Sequence, residues 1–488
     1  MYVVHIASEL APIAKAGGLG DVLYGLSKEL SRLGHQVEIL LPKYDCIDYS
    51  LLKELQVYYR ELWSYEGPYR YNNTIWSAKV DGLSVLLLEP HHPKFFFSRG
   101  HIYGSHDDID RFLYFSRACM EFLFKSGKKP DQIHVHDWPT SIIPALIKDM
   151  YQALGFPPTS TVLTLHNIEH QGHCSPTNLS QIGLRGEDYL APHLFQDPVQ
   201  HHLINLLKGG IEYATAVTTV SPSYEKEIKT RQEGKGLHTT LIKHQQKLHG
   251  ILNGIDEDFW NPETDPYIIQ PFSTHPPFTE EAMLAIKKGK EKNKKELRQR
   301  LNLKADKRPL IACISRLVPQ KGPTLIAAAF RHIVKAGGQC VILGSTYSPD
   351  MQALFVHLQE EHSSHPHGAL FLEYNEPLSH LIYAAADALL IPSLFEPCGL
   401  TQMIALRYGT LPIVRRTGGL SDTVSDHNGF VFEQPKVDEM IPVLDQALSL
   451  WKKSPALWQE KQKEGMSQDF SWKHAAKVYL ALYESLKP

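Results

Sequence analysis

Short apolar runs alternate with segments of helical periodicity in the first half of the chain. Apolar residues dominate 2–7, and leucine and valine then recur at helical spacing through 19–33. Strands are next predicted over 36–41 and 83–88, and a helix over 110–125. This repeated strand–helix order is typical of an α/β domain built on a parallel sheet.

The same alternation starts again in the second half. Residues 260–277 contain five prolines and little periodicity, which favours a connector, and the Asn-Gly turn within 252–256 is expected to end the first domain. The sequence therefore predicts two Rossmann-like domains, 1–255 and 256–470, and a helix in 471–488 that crosses back to the first domain. The second-half strands are predicted at 309–314, 339–343, 369–372, 388–391, 411–414 and 430–432.

A heavily charged segment, 280–308, lies between the connector and the second set of strands. Its lysines suggest a nucleic-acid or glucan surface, but glutamates are interspersed among them, and Leu297 and Leu301 lie one helical turn apart. This pattern favours an exposed amphipathic helix. The lysines in question are Lys287, Lys288, Lys290, Lys292, Lys294 and Lys295.

Composition narrows the class of protein. With 488 residues the chain is too long for one hydrophobic core. It carries 50 Lys+Arg against 53 Asp+Glu, so the basic surface of a nucleic-acid or membrane binder is not expected. The six cysteines show no C-x-x-C spacing, and no apolar run approaches 18 residues. We expect a cytoplasmic protein without disulfides or membrane spans.

A glycine loop with one lysine follows the first predicted strand. Gly17, Gly18 and Gly20 let the backbone approach a ligand closely, and Lys15 adds a positive charge. Phosphate is the expected guest. The pattern is neither a dinucleotide fingerprint nor a Walker loop, so a plain tight turn with a solvated lysine is an equal alternative.

Polar residues also stand at the ends of the next two strands. His134 and His136 share one strand face and could be metal ligands, but a third ligand at a familiar spacing is missing. We favour the alternative that His136 and Asp137, at the end of this strand, face the same cleft as the glycine loop, and that His166 and Asn167 at the end of the next strand lie on the same sheet edge.

The second half has its own charged strand ends. Arg316 and Lys321 lie in one predicted loop, where crowding two cations favours an anion between them over simple solvation. Glu396 lies in the turn after the strand 388–391, where it either caps the following helix or belongs to a site.

Together these features predict a metal-independent transferase that uses a nucleotide-activated donor. A cluster of aspartates that could hold Mg²⁺ is missing, so the leaving diphosphate would be neutralised by Lys15, Arg316 and Lys321. The cleft between the two domains is the expected site. An NAD oxidoreductase is disfavoured because the dinucleotide fingerprint is missing from both halves.

Seven segments carry a resemblance that covers nearly the whole chain. They are 15–22, 136–138, 165–168, 207–211, 252–256, 315–322 and 395–402. In this order they resemble the bacterial glycogen synthase and plant starch synthase family. The resemblance implies the GT-B fold and transfer of glucose from ADP-glucose to the non-reducing end of an α-1,4-glucan, with retention and without a metal or other cofactor.

Residue roles follow from the resemblance position by position. Arg316 and Lys321 would hold the diphosphate, and Glu396 would hold glucose and phosphate. The glucosyl site would be lined by Asp137 and His166 of the first domain. The implied catalytic residues are Asp137, His166, Arg316, Lys321 and Glu396. The implied donor-binding residues are Lys15, Gly17, Gly18, Asp21, Asn167, Asn253, Cys398, Gly399, Leu400 and Thr401.

Three positions depart from the pattern of the family or of its wider group. Ala16 stands where the family usually has Thr or Ser, and Leu394 where it usually has Arg, so donor affinity or an allosteric contact is expected to differ. Ile404 replaces the wider group's second glutamate, which favours a front-face mechanism over a covalent intermediate. A UDP-glucose donor and a catalytically silent glucan-binding scaffold stay as alternatives, and oligomeric state is not predicted.

Overall fold

The computed structural model describes residues 1–346, 348–363 and 365–487, and it divides into two compact units. The first unit contains Met1–Gly254 together with the segment that starts at Trp472, and the second contains Ile255–Ser471. The helix predicted at the carboxyl end is therefore part of the first unit. Pro488, the last residue of that segment, lies outside the described residues.

A nine-stranded sheet forms the centre of the first unit, with strand order β11-β10-β7-β6-β1-β2-β5-β4-β3. The strands from β11 to β5 in this order are parallel, as the strand–helix alternation predicts. A separate small sheet pairs β8 with β9. The strands are β1 (Tyr2–Ile6), β2 (Gln36–Pro42), β3 (Lys53–Glu66), β4 (Tyr69–Val80), β5 (Leu83–Pro90), β6 (Gln132–His136), β7 (Ser160–Leu165), β8 (His173–Cys174), β9 (Ile204–Asn205), β10 (Ala216–Thr219) and β11 (Leu248–Gly250).

An antiparallel hairpin of β3 and β4 extends one edge of this sheet, and the sequence patterns did not predict it. Most residues of β3 are exposed or half-buried, so its two faces differ little in polarity and the period-two signal is weak. Its turn is nevertheless visible in the sequence as Gly67-Pro68, where Gly67 has φ +57°.

The carboxyl-terminal helix packs on the first helix of the chain. An added Cβ on Gly25 would lie 1.9 Å from the indole Nε1 of Trp472, so only glycine allows this contact. Tyr479 packs in the same apolar cluster as Leu26. The helices of this unit are α1 (Gly18–Arg32), α2 (Asp108–Lys125), α3 (Asp137–Thr140), α4 (Ile143–Leu146), α5 (Pro176–Gln181), α6 (Leu206–Tyr213), α7 (Pro222–Glu227), α8 (His238–Lys243) and α17 (Trp472–Ser485), with a π-helix at Ile147–Tyr151 and 3-10 turns at Tyr49–Leu51, Gly186–Tyr189 and Gln245–Lys247.

The second unit is built on a parallel six-stranded sheet with strand order β14-β13-β12-β15-β16-β17. Its apolar core includes Phe330, Leu390 and Ile413. The strands are β12 (Leu310–Ile314), β13 (Gln339–Leu343), β14 (Gly368–Phe371), β15 (Ala388–Ile391), β16 (Leu411–Arg415) and β17 (Phe430–Phe432). The helices are α9 (Glu280–Arg300), α10 (Pro323–Lys335), α11 (Pro349–Glu361), α12 (Glu376–Ala385), α13 (Thr401–Arg407), α14 (Gly418–Thr423), α15 (Val437–Lys453) and α16 (Pro455–Met466), with a 3-10 turn at Pro319–Lys321.

The charged segment does form a helix, α9, but the prediction that it is an exposed one is wrong for two of its lysines. Lys290 is buried and donates to the carbonyl oxygens of Tyr383, Ala384 and Tyr408 at 3.0–3.3 Å. Lys294 is also buried, and its ammonium lies 2.6 Å from an Asp387 carboxylate oxygen. These lysines attach α9 to the rest of the second unit through specific hydrogen bonds.

Across the ranges that the structure describes, every helix is too short or too polar to cross a membrane. All six cysteines carry free thiols, and five of them are buried.

Candidate functional site

The glycine loop after β1 is held by Glu9, which the sequence patterns did not predict. The backbone N–H groups of Ala16 and Gly17 each donate to Oε2 of Glu9 at 2.7 Å. Oε1 of the same carboxylate accepts from the Tyr103 hydroxyl at 2.9 Å. Two loop N–H groups expected to be available to phosphate are therefore already bonded. Glu9 stands three residues after β1, and that strand-end position was its one sequence signal.

Lys15 and Asp21 form an ion pair of 2.8 Å at the mouth of this loop, and their side chains are 40% and 32% exposed. Both were predicted to bind the donor, and here each lies against the other. An added Cβ on Gly18 would meet open space, so the predicted close approach of a ligand to the backbone is sterically possible there. The ammonium of Lys15 is thus oriented by Asp21 and still reaches solvent.

Asp137 joins the ends of two neighbouring strands. It follows β6 with φ +53°, an uncommon conformation for a residue other than glycine. Its Oδ1 accepts the backbone N–H of His166 at 2.7 Å and that of Asn167 at 3.4 Å. Burial raises the pKa of Asp137 to about 7, although these two N–H groups oppose the shift. The structure thus brings together three residues that the sequence placed at one sheet edge.

His166 is the outer member of a group of histidines. Its Nε2 lies 3.0 Å from Nδ1 of His136, and burial lowers the pKa of His166 to about 3. The ring is therefore neutral at physiological pH. A neutral imidazole can donate from one nitrogen and accept at the other, which suits contact with sugar hydroxyl groups.

The missing third partner for His134 and His136 is His5, which the parallel pairing of β1 with β6 places beside them. Five of the six ring nitrogens already take part in hydrogen bonds, among them those of His134 with Tyr483 at 2.7 Å and with Thr164 at 2.6 Å. A metal ion would have to displace most of these bonds, so the arrangement does not suit a metal centre. The sequence missed His5 because it lies far from the other two along the chain.

In the second unit, Glu396 follows β15 and is 5% exposed. Its Oε2 accepts hydrogen bonds from the ammonium of Lys321 and, at 2.8 Å, from the hydroxyl of Ser393. The Leu394 N–H donates to the Gln320 carbonyl at 2.7 Å and ties the two loops together. Two predicted residues 75 positions apart therefore form one charged pair, in which Glu396 is buried and Lys321 half-buried.

Helix capping does not explain Glu396. The helix that follows, α13, has Leu400 at its N-cap position and is not capped by a side chain. The carboxylate instead contacts Lys321 and Ser393. The capping alternative is therefore wrong, and the assignment of Glu396 to a site stays a prediction.

The turn 398–401 is held by Gln402 and approached by Gly419, neither of which was predicted as a site residue. Gly399 has φ +74°, and the Gln402 amide donates to the carbonyl oxygens of Cys398 and Gly399 at 3.0 and 2.8 Å. An added Cβ on Gly419 would lie 2.1 Å from the Cys398 carbonyl oxygen. The Gly418-Gly419 pair at the start of α14 was visible as a glycine turn, and it lets that helix approach this segment.

Two predicted residues are not joined to these clusters by a side-chain hydrogen bond or ion pair among the described residues. Arg316 is exposed, and its side chain has no ion-pair partner in the part of the chain that the structure describes. Asn253 is 5% exposed, and its Oδ1 is without a hydrogen-bond partner among residues 1–346, 348–363 and 365–487. The guanidinium of Arg316 is thus available to an anion.

Comparison with known proteins matches the two units to two protein families. Residues 2–243 match the starch synthase catalytic domain family, and residues 293–464 match glycosyl transferases group 1. Among relatives, a glycogen synthase of Protochlamydia amoebophila is 48% identical over 100% of this chain and 99% of its own length. A probable starch synthase 4 of Arabidopsis thaliana is 46% identical over 99% of this chain and 47% of its own length.

Solved structures agree with the sequence relatives. The catalytic domain of starch synthase IV from Arabidopsis thaliana, bound to ADP and acarbose, superposes with a TM-score of 0.94 at 46% identity and covers 99% of both chains. A sucrose-phosphate synthase from Thermosynechococcus elongatus has a TM-score of 0.62 at 17% identity over 100% of this chain and 99% of its own, which shows a shared fold only. The chain therefore belongs to the glycogen synthase and starch synthase family and has the GT-B fold.

Proposed function

We propose that this protein is a glycogen synthase that transfers glucose from ADP-glucose to the 4-hydroxyl at the non-reducing end of an α-1,4-glucan, with retention of configuration. Relatives named glycogen synthase align over the full chain, and the superposed starch synthase IV holds ADP. The observation that carries the proposal is the Lys321–Glu396 pair, in which the carboxylate is buried and the ammonium half-buried, because its fixed opposite charges at the end of a parallel sheet suit a sugar diphosphate.

The second unit supplies the charges that glucosyl transfer needs. Negative charge grows on the departing diphosphate, and Arg316 and Lys321 stabilise it. Positive charge grows at the anomeric carbon, which the fixed carboxylate of Glu396 stabilises. The hydroxyl of Ser393 and the ammonium of Lys321 hold that carboxylate in place before substrate binds. The turn at Cys398, Gly399, Leu400 and Thr401 is assigned to the donor.

The first unit supplies polar groups for the sugar. His166 is a neutral hydrogen-bonding partner, and Asp137 positions its backbone. Lys15 contributes a cation to the donor, with Gly17, Gly18 and Asp21 shaping its loop. Asn167 and Asn253 complete the set assigned to donor binding.

The transfer itself is assigned to a front-face mechanism. The bond between the anomeric carbon and the diphosphate oxygen breaks, the acceptor O4 bonds to the same face, and its proton passes to the departing phosphate oxygen. A covalent intermediate would need a second carboxylate, and the position that carries it in the wider group is Ile404, which is buried. In this proposal the three cations replace a metal ion, so a metal or other cofactor is not required.

The free thiols fit a reducing compartment, so the proposal places the enzyme in the cytoplasm.

Incubation with glycogen and either ADP-glucose or UDP-glucose tests the function. Faster release of ADP than of UDP supports the ADP-glucose assignment, and the reverse would establish the alternative donor. Tyr374, which is 77% exposed, is a candidate contact for the base. Release of neither diphosphate would favour a glucan-binding scaffold without catalysis.

A further inference from the structure

Three histidines form a continuous hydrogen-bonded row from the interior of the first unit to a strand end. His5 on β1 and His136 on β6 are completely buried, whereas His166, after β7, is half-buried. Nδ1 of His5 lies 3.1 Å from Nε2 of His136, and Nδ1 of His136 lies 3.0 Å from Nε2 of His166. Each ring therefore touches the next through defined atoms.

The row has only two self-consistent proton arrangements. Burial lowers the pKa of all three rings, to about 3 for His5 and His166, so each ring is neutral and carries one N–H. His136 uses both nitrogens in the row, so it must donate at one and accept at the other. The two hydrogen bonds therefore point in the same direction, either outward toward His166 or inward toward His5.

The innermost nitrogen decides between these arrangements. Nε2 of His5 is buried and lacks a hydrogen-bond partner among the described residues. If the row pointed inward, this nitrogen would carry a buried N–H without an acceptor, whereas an outward row leaves only a bare lone pair there. Orphaned buried N–H groups are rare and costly, and under-satisfied acceptors are tolerated more often. The outward direction is therefore favoured.

We propose that His5 and His136 are positioning residues that fix the tautomer of His166, so that Nδ1–H of His166 is a hydrogen-bond donor at the sugar site. In the outward row, Nδ1–H of His5 donates to Nε2 of His136, and Nδ1–H of His136 donates to Nε2 of His166. The proton of His166 is then on Nδ1, where it meets an acceptor oxygen of the bound glucosyl group. The identity of this ligand rests on the proposed function, whereas the tautomer assigned to His166 does not.

His134 provides a matched control for this row. It is also completely buried, and its ring centroid lies 4.9 Å from that of His5. Its two nitrogens bond Tyr483 and Thr164 and take no part in the row. His134→Leu removes a buried imidazole from the same cluster and leaves the bonds among the other three rings in place. His5→Leu removes the inner partner of His136 and frees the row to point either way.

The decisive measurement is the ¹⁵N chemical shifts of His166 in the full-length, histidine-labelled protein without substrate, assigned by their loss in His166→Gln. We expect a protonated Nδ1 and a bare Nε2 in the wild type and in His134→Leu, and a mixture of tautomers in His5→Leu. A proton on Nε2 in the wild type would overturn the proposal even if His5→Leu did not fold. An unchanged tautomer in His5→Leu would overturn the role of His5.

Steady-state measurement of kcat provides a second test. If the tautomer matters for transfer, His5→Leu lowers kcat relative to His134→Leu in proportion to the fraction of His166 that carries its proton on Nε2, which is roughly twofold for an even mixture. Equal kcat in the two variants would contradict the catalytic consequence. The ¹⁵N measurement needs no turnover, so failure of the proposed function and failure of the proton arrangement are distinguishable.

Discussion

Lys321 donates a hydrogen bond to the carboxylate of Glu396, although the two residues lie in loops that follow different strands of the second sheet. Both side chains are largely withdrawn from solvent, at 17% and 6% exposure. Charges in such places are stable only when paired, and removal of one partner leaves the other uncompensated. The pair therefore holds a preorganised carboxylate and a preorganised ammonium at one strand-end site.

Replacement of Lys321 tests its assignment to the diphosphate. We expect Lys321→Ala to lower kcat by at least ~10²-fold, which is typical of losing one preorganised group that stabilises developing charge. Lys335→Ala removes an exposed lysine of the same unit and is the control. Steady-state assays of nucleoside diphosphate release give both values. Near-normal turnover in Lys321→Ala would refute the role.

The two partners are also expected to act as one unit. Glu396→Gln keeps the shape of the side chain and removes its charge. If each residue depends on the other for its position, the double variant with Lys321→Ala loses much less than the product of the two single losses in kcat. Multiplicative losses across the four proteins of this double-mutant cycle would show that the residues act independently.

The protonation of Asp137 predicts a pH dependence of stability. Its pKa of about 7 in the folded chain lies above the unfolded value of ~3.9, so the unfolded chain releases this proton first. The contribution of Asp137 is therefore greatest below pH ~4 and declines as pH rises toward 7. Asp137→Asn removes this decline.

The measurement is the free energy of unfolding by denaturant between about pH 4 and pH 7, the range set by these pKa values. It is made on the wild type, on Asp137→Asn and on the control Asp188→Asn. Asp188 is exposed and lies 3.0 Å from Arg185. The control should follow the wild type, and Asp137→Asn should lose less stability with rising pH. Three parallel profiles would contradict the raised pKa of Asp137.

Lys290 predicts a second pH effect, of opposite sign. Burial lowers its pKa to about 7 from the unfolded value of ~10.4. Between these two values the unfolded chain binds more protons, so this group makes stability rise with pH. Lys290→Met should remove that rise and cost roughly 2–3 kcal/mol, because it leaves several buried oxygens without a donor.

The matched control is Lys287→Met, which changes an exposed lysine one turn earlier on α9. The free energy of unfolding is measured for both variants at about pH 7 and about pH 9.5, because Lys290 loses its proton in the folded chain between these values while the unfolded chain keeps it. Equal stability of the two at both pH values would mean that the buried hydrogen bonds of Lys290 contribute nothing.

Local sequence patterns were sufficient for much of this molecule. Short apolar runs between periodic segments predicted most of the parallel strands of both sheets, because burial on two faces produces continuous apolar strands, but they did not predict β11. The ends of those strands predicted that Asp137, His166 and Asn167 lie close together, and the structure shows their hydrogen bonds. Likewise, the loops after β12 and β15 contain the partners Lys321 and Glu396.

Features that depend on contacts between distant segments escaped prediction. His5 completes the histidine row only through the pairing of β1 with β6, and Glu9 holds the glycine loop through bonds to backbone groups. Lys290 resembles its exposed neighbours in sequence, yet it is buried because helix ends of the second unit present carbonyl oxygens to it. Residue type and spacing along the chain do not indicate which distant residues will be in contact after folding.

The most direct test of the account measures the transfer of labelled glucose from ADP-glucose into glycogen. The wild type and Glu396→Gln are compared, each with and without EDTA. We expect incorporation by the wild type to be unaffected by the chelator, and incorporation by the variant to fall by ~10²-fold or more. Loss of wild-type incorporation on chelation, or full incorporation by Glu396→Gln, would contradict a metal-independent transfer that depends on the Lys321–Glu396 pair.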